Sequence, residues 1–457
     1  MINQLIDYLK EKKILILGFG AEGKSTYELI RKYLPTIPLT ISDKKDILAL
    51  QTNQELQKDS ALTVISGEFY LEELNQYDCI IKSPGVCLKQ IDTSSFSDKI
   101  TSQLELLLQF FPVSSIGITG TKGKSTTSTL IYTILKEQKK DALLLGNIGI
   151  PIFQFLEEIH PHTILVLELS AHQLQYVHHS PQISILLNLF PEHLDFYSTL
   201  DQYVKAKFNI AQFQKKDDYF LYNADNPLIL DFLKKVTLLP HSYAITYENN
   251  TCPSTAKKVY QKEEKIYLEQ KPLYCISQQR KLVGVHNLNN IMFALAVSEI
   301  LQLNLEQTIQ SIQNFSPLPH RIELVGKYDG VIYYDDAIAT IPEATIQSIE
   351  ALENVNTLII GGMDRGIDLS KIISFLNTGV VEHVICMPTT GNYIGEKITN
   401  PKVKVYFTPT LEQAVQTAKK QTKKEQICLL SPSGPSYEFF QNFKEKGDKF
   451  QELVKQN

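Results

Sequence analysis

The sequence predicts an α/β protein of three domains, each built on a mainly parallel sheet, and three observations carry that reading. Short apolar runs alternate with amphipathic stretches of helical length, the pattern of strands joined by crossover helices. Twice such a run ends in a glycine turn that opens a helix, at KKILILGFG (12–20) and at SSIGITG (114–120). A third restart of the same pattern follows SPLPHR (316–321).

The first segment reads as a strand, a helix from about Glu22 to Tyr33, and the strands PLTISD, ALTVIS and CIIKSPG. After Phe111-Pro112 come SSIGITG and the helix KSTTSTLIYTIL. TILVLELS and ISILLNL follow, continuous apolar runs of the kind found in strands buried on both faces. A polar stretch from about Glu248 to Lys281 reads as looser antiparallel structure or surface loops. The last segment holds VIYYDD, TLIIGG, HVICM, VKVYF and QICLLSPS. The expected division is a Rossmann-like domain over 1–111, a P-loop ATPase-type domain over 112–317 and a second Rossmann-like domain over 318–457.

Composition narrows the function classes. A formal net charge of −5 over 457 residues argues against nucleic acid as the main partner, because phosphate backbones call for a basic face. No apolar run approaches the ~20 residues of a membrane helix, so no membrane insertion is expected. The amphipathic start MINQLIDYLKEKK does not resemble a signal peptide, which leaves the cytoplasm as the expected compartment. The cysteines at 79, 87, 252, 275, 386 and 428 form no CxxC pair and read as reduced thiols.

The strongest local signal is Gly117-Ile-Thr-Gly-Thr-Lys-Gly-Lys-Ser-Thr126. Glycines let backbone N–H groups turn toward a phosphate, and the helix N-terminus adds a favourable dipole. Lys124 would neutralise the β- and γ-phosphates and the Ser125 hydroxyl would face Mg²⁺. The spacing is shorter than the common G-x-x-x-x-G-K-[ST], with Gly120 and Gly123 three positions apart. The earlier turn, Gly18-Phe-Gly20-Ala-Glu-Gly23 with Asp43 beyond it, matches a dinucleotide fingerprint. Its amides could equally cradle a uridine diphosphate, or the turn could hold no ligand at all. Glu168 closes TILVLELS at a strand end, where ligands gather, and suits a hard cation. His193 lies beyond another strand, as a metal or substrate ligand or as a packed surface histidine. Lys207 reads on periodicity as an ordinary helix lysine.

Taken in order, these pieces resemble the Mur ligase family over nearly the whole chain. They are GTKGKST, GNIG (146–149), LELS, NLFPEHLDFY, AKFN, YNADN (222–226), GVHNLNN (284–290) and LPHR. Within the family, SPGV (83–86), the first glycine turn and LLSPSGPSYEFFQNF (429–443) most resemble members that add glutamate to UDP-N-acetylmuramoyl-L-alanine. The resemblance implies an ATP- and Mg²⁺-dependent ligase of peptidoglycan precursor synthesis, and a monomer. Gly18, Gly20, Gly23, Asp43, Ser83, Pro84 and Gly85 would hold the UDP end, with Asn147 and His193 along the muramoyl substrate. Gly120, Thr121, Lys122, Gly123, Lys124, Ser125 and Thr126 would hold ATP, joined by Asn287, Asn290, Arg321 and Asp336. Ser125, Glu168, His193 and a carbamylated Lys207 would be metal ligands. Lys124, His193, Lys207 and Arg321 would serve the chemistry. Thr340, Arg365, Ser436 and Phe443 would face the incoming glutamate.

The third segment departs from the family pattern. Asp336-Ala-Ile-Ala-Thr-Ile341 stands where D-S-K-A-T-N is expected, so Ile338 replaces a lysine that would pair with glutamate. GGMDRG (361–366) replaces GGDGK, and SGPS (433–436) replaces ACAS, with Arg365 offering a cation from a new direction. Such a subsite resembles variant ligases that take L-glutamate, and both enantiomers stay open. Rival readings are a ligase for another amino acid, a folate polyglutamate ligase, a dehydrogenase and a non-catalytic nucleotide-binding regulator. The two ligase rivals fit the short third segment poorly. A dehydrogenase leaves GTKGKST without a purpose, and a regulator leaves Glu168, His193 and Lys207 together without one.

Overall fold

A computed structural model describes all residues except 49–55, 147–150, 191–195, 198, 237–240, 248–255, 279, 283–284, 317–318, 353, 365–368, 438 and 457. The chain forms two compact units, Met1–Arg280 with Asn287–Asn314, and Lys281–His286 with Phe315–Asn457. The first unit holds two sheets and the second holds one.

The first sheet consists of β1 (Ile14–Leu17), β2 (Leu39–Asp43), β3 (Leu62–Ser66), β4 (Cys79–Lys82) and β5 (Ile100–Thr101). Its strands are parallel in the order β3-β2-β1-β4-β5. Leu17 is therefore level with Ser42 on one side and Lys82 on the other. The strand order reverses between β1 and β4, the crevice where open α/β sheets take ligands.

The second sheet consists of β6 (Ser115–Thr119), β7 (Ala142–Gly146), β8 (Ile164–Glu168), β9 (Ile183–Leu186), β10 (Tyr219–Asn223), β11 (His241–Thr246), β12 (Lys257–Lys262), β13 (Lys265–Leu268) and β14 (Lys271–Cys275). Its order is β14-β13-β12-β11-β10-β9-β6-β8-β7. Pairing is parallel from β7 to β12, and β12–β14 form an antiparallel meander in the polar stretch. All of β9 and all but the first residue of β8 is buried, which accounts for their continuous apolar sequences. One apolar core runs from Leu5 of the helix Ile2–Lys10 and Ile16 of β1 through Phe153 to Leu167 of β8 and Phe208 of the helix Leu200–Gln212, so the two sheets share a unit.

The second unit's sheet consists of β15 (Glu323–Tyr328), β16 (Val331–Asp335), β17 (Val355–Ile360), β18 (His383–Cys386), β19 (Lys404–Phe407) and β20 (Ile427–Leu430), ordered β15-β16-β20-β17-β18-β19. Strand β15 is antiparallel to β16 and was not anticipated, since ELVGKY at a sheet edge lacks a buried run. Separate apolar cores cover the two faces, one around Phe450 and Val415, the other around Ile349 and Leu376. None of the described helices is long and apolar enough to cross a membrane. Described cysteines 79, 87, 275, 386 and 428 are free thiols, and Cys252 lies outside the described residues.

The helix Phe443–Lys455 crosses this sheet at very close range. A Cβ added at Gly447 would stand 2.1 Å from His320 Nδ1 and 2.7 Å from Asp335 Oδ2. Helix propensity favours alanine by about 1 kcal/mol, but displacing a buried imidazole from its carboxylate costs more. Gly447→Ala should therefore lose about 2 kcal/mol of stability, read as a lower Tm in calorimetry. An unchanged Tm would contradict this packing.

Candidate active site

The glycine loop Gly120–Thr126 grows directly out of the β6–β9 ladder. Leu187 N donates to Thr119 O (2.9 Å) and Thr121 N to Asn188 O (2.9 Å), extending the parallel pairing past the strand ends. Asn188 then clamps the loop in both directions. Its Oδ1 accepts from Lys122 N (2.8 Å) and its Nδ2 donates to Lys122 O (3.0 Å). Gly123 is left-handed (φ 84°), and a Cβ there would lie 2.9 Å from Asn290 Oδ1. The helix Lys124–Glu137 starts at the next residue. The loop is thus a fixed turn whose amides precede a helix N-terminus, the arrangement that binds phosphate.

Two amines meet on one carbonyl. Lys124 Nζ donates to Gly120 O (2.9 Å) and Thr121 O (3.1 Å), and Lys207 Nζ also donates to Gly120 O (2.9 Å). Lys207 is 2% exposed, on the inward face of the helix Leu200–Gln212, with its amine 5.1 Å from the centre of the Tyr203 ring. The Tyr203 hydroxyl in turn lies 2.9 Å from Thr121 Oγ1. Glu168, also 2% exposed, ends β8 beside β6. Asn287 and Asn290 sit near the start of the helix Val285–Ile300, Asn290 Nδ2 donating to Asn287 Oδ1 (2.9 Å). The structure therefore brings Gly120–Thr126, Lys207 and Asn290 together, with Asn287 one hydrogen bond further on.

The first glycine turn lies at the carboxyl ends of β1 and β4. Gly18 is left-handed (φ 91°), its oxygen accepts from Ser83 Oγ (2.8 Å), and a Cβ there would stand 2.6 Å from Val86. Asp43 Oδ2 accepts from Phe19 N (2.6 Å), closing the loop onto β2. Gly23 must lack a side chain because a Cβ would lie 2.1 Å from Gly18 O. Gly20 and Gly85 face open space, so protein packing does not require a glycine at either position.

In the second unit, Arg321 is flanked by residues in left-handed conformations, His320 (φ 61°) and Ile322 (φ 48°). Such backbone costs ~1–3 kcal/mol per residue and needs tethering. The tethers are His320 Nδ1 to Asp335 Oδ2 (2.8 Å), His320 N to Glu323 Oε2 (2.7 Å) and Ile322 N to Asp336 Oδ1 (3.2 Å). The hydrogen bond with Asp335 pushes the His320 pKa up. Asp336 is 2% exposed and also accepts from Ser348 Oγ (2.6 Å) and Ser431 Oγ (2.8 Å). Burial lifts its carboxyl to about 7 against those donors and the nearby Arg321 charge. Thr340 and Ile338 are half-buried on the loop after β16, and Ser436 is buried on the loop after β20. The Phe443 ring stands 6.2 Å from that of His320. Asn147, His193 and Arg365 lie outside the described residues.

Comparison with known proteins adds the following. Residues 118–298 match the Mur ligase middle domain, and residues 320–434 match the "Mur ligase, glutamate ligase domain". The UDP-N-acetylmuramoylalanine–D-glutamate ligase of Clostridium kluyveri is 30% identical over 459 residues, covering 98% of this chain and 97% of that protein. Its namesake in Clostridium acetobutylicum is 30% identical over 462 residues, covering 99% and 98%. The chain belongs to the Mur ligase family. Solved family folds agree, although at low identity. The UDP-N-acetylmuramate–alanine ligase of Thermotoga maritima superposes with TM-score 0.57 at 16% identity, covering 96% of this chain and 98% of that one. A MurF ligase of the same organism, in complex with ADP, gives 0.58 at 16%, covering 96% and 93%.

Three residues of this Mur ligase escaped sequence reasoning. Asn188 opens the NLFPEHLDFY motif, but its role depends on β9 lying beside β6. Lys82 is 4% exposed, donates to Ser83 O (3.3 Å) and lies 5.6 Å and 5.9 Å from the Tyr176 and Phe196 ring centres. Burial lowers its pKa to about 8. Glu22 is lifted to about 7, mainly by burial, and accepts from Gln173 Nε2 (3.2 Å). A charged residue at a strand end beside SPG was the available signal for Lys82. Asn188→Ala should free the loop and weaken ATP binding about 30-fold, at roughly 1 kcal/mol for each of the two hydrogen bonds lost. Titration calorimetry with ATP reads this directly, and unchanged affinity would contradict the clamp.

Proposed function

We propose that this Mur ligase joins glutamate to UDP-N-acetylmuramoyl-L-alanine in the cytoplasm, converting ATP to ADP and phosphate. The observation that carries the reading is the convergence of Lys124 and Lys207 on the carbonyl of the glycine loop, beside the strand that ends in Glu168. The names of the relatives that match over nearly full length support the choice of substrates. We assign UDP binding to 1–111, ATP binding to 112–317 and glutamate binding to 318–457, with boundaries near 111 and 317.

The reaction has two displacements. An oxygen of the alanine carboxylate attacks the γ-phosphorus, the bond to ADP breaks, and an acyl phosphate forms. The glutamate amine then attacks the carbonyl carbon, loses a proton, and phosphate departs with the C–O bonding pair. The loop amides and Lys124 place positive charge against the phosphate oxygens, the main demand of phosphoryl transfer. The turn around Gly123 leaves no room for a side chain, which suits a backbone cradle for phosphate. Ser125, Glu168, His193 and carbamylated Lys207 would hold Mg²⁺, a donor set of hard oxygens with one imidazole. When bound, Mg²⁺ supplies further positive charge to the phosphate oxygens. Arg321 and Asp336 are assigned nucleotide contacts. Gly18, Gly20, Gly23, Asp43, Ser83, Gly85 and Asn147 are assigned the UDP substrate.

D-glutamate is the first choice on the names of the relatives. Ile338, a hydrocarbon where a cation is expected, favours L-glutamate as the second. Phosphate release with ATP, Mg²⁺ and UDP-N-acetylmuramoyl-L-alanine, offered each enantiomer in turn, should depend on one of them. No release with either would sink the glutamate reading. Lys124→Ala and Lys207→Ala should each lower kcat by about 10²-fold or more. Undiminished turnover in either variant would remove that lysine from the chemistry.

A further inference from the structure

Lys446 is a lysine with almost no access to water, 2% exposed in the first turn of the helix Phe443–Lys455. Its Nζ donates to Gly361 O (2.8 Å), its only hydrogen bond among the described residues. An ammonium in such a place is costly unless its remaining protons find acceptors. Burial accordingly pushes its pKa down to about 7, with Asp335 pulling the other way. Asp335 is already committed, its oxygens accepting from His320 Nδ1 (2.8 Å), from Gln451 Nε2 (3.0 Å) and from Ala337 N (2.9 Å). The amine therefore keeps donors for something else.

Two further donors lie on the neighbouring loop. Ser433 is 1% exposed and Ser436 is 4% exposed, and neither hydroxyl has a hydrogen-bond partner among the described residues. Both serines lie on the loop that leaves β20, and the Gly361 oxygen that Lys446 reaches lies on the loop that leaves β17, the carboxyl ends of adjacent strands where ligands of parallel sheets bind. The loops are tied together by Gly361 N to Pro432 O (2.9 Å), Met363 N to Pro435 O (2.8 Å) and Ser433 N to Ala339 O (2.9 Å). A Cβ on Gly362 would lie 2.6 Å from Pro435 O, so the Gly361 and Ser433–Ser436 loops touch. A buried cation and two unpaired hydroxyls, set in interlocked loops, suit a compact anion with several acceptor oxygens. A carboxylate meets that description.

We infer that Lys446, with Ser433 and Ser436, binds a carboxylate of the incoming amino acid. This rests on the glutamate-ligase reading and adds Lys446 and Ser433 to the subsite. It also accounts for Ile338, since the positive charge then comes from the helix Phe443–Lys455 instead of the loop after β16.

The test is steady-state kinetics on the full chain with each substrate varied in turn. Lys446→Met should raise KM for glutamate about 10- to 100-fold, the loss of one charged hydrogen bond, and leave KM for ATP and the UDP substrate within about twofold. Lys446→Arg should recover much of that loss. Equal changes in all three KM values would overturn the proposal in favour of a purely structural lysine, as would an unchanged glutamate KM. Should Lys446→Met fail to fold, Ser433→Ala removes a single oxygen from the same cluster. It should raise glutamate KM about fivefold, and no change would overturn the proposal. If the native enzyme uses a different amino acid, the glutamate reading fails, and the same comparison on that amino acid's KM decides the role of Lys446. No turnover with any amino acid overturns both.

Discussion

The reciprocal hydrogen bonds between Asn188 and the backbone of Lys122 are the constraint on which the rest of the proposed nucleotide site depends. A loop with two glycines in four residues has much freedom to lose, on the order of 1–2 kcal/mol per residue when fixed. The β6–β9 ladder removes part of that freedom by running on through Leu187 and Asn188. Asn188 removes more by holding both the N–H and the C=O of one residue, Lys122. With the turn fixed, Gly120 O points where Lys124 and Lys207 can both reach it, and the helix that follows starts in register. Sheet pairing thus becomes a local arrangement of charge without any special chemistry at the loop itself.

Much of this was legible in the sequence, because strand–glycine–helix is a local pattern and local patterns need no knowledge of pairing. The continuous apolar runs of β8 and β9 likewise announce strands buried on both faces. Lys207 was not legible on its own. It becomes distinctive only when the helix Leu200–Gln212 packs on β9 and β6, turning Tyr203 and Lys207 inward at a spacing of one helical turn. Asn188 was hidden for the same reason, since β6 and β9 are neighbours in space and far apart in the chain. Asp336 was singled out only through the family resemblance, and its Ser348 and Ser431 partners come from other elements. Strand β15 went unread because an edge strand lacks the buried run that marks its neighbours.

The second unit shows what motif order does and does not convey. Family resemblance places Thr340, Ser436 and Phe443 at the expected points of the chain, and it flags Ile338 as a lost cation. It offers Arg365 as a compensating charge, and that residue lies outside the described ones. A second candidate comes from packing. Gly447 lets the helix Phe443–Lys455 press against His320 and Asp335, and this approach delivers the Lys446 amine to the strand ends. The same packing braces the strained backbone around Arg321, so one close helix contact serves two sets of charged residues.

In the proposed assignment the loop Gly120–Thr126, and not the earlier turn at Gly18–Gly23, holds ATP. Hydrogen–deuterium exchange on the full chain, with and without Mg²⁺ and ATP, tests it most directly. The account expects slowed exchange over 118–127 and at 187–190, with the amides of 17–24 unchanged. Protection at 17–24 with none at 118–127 would contradict it.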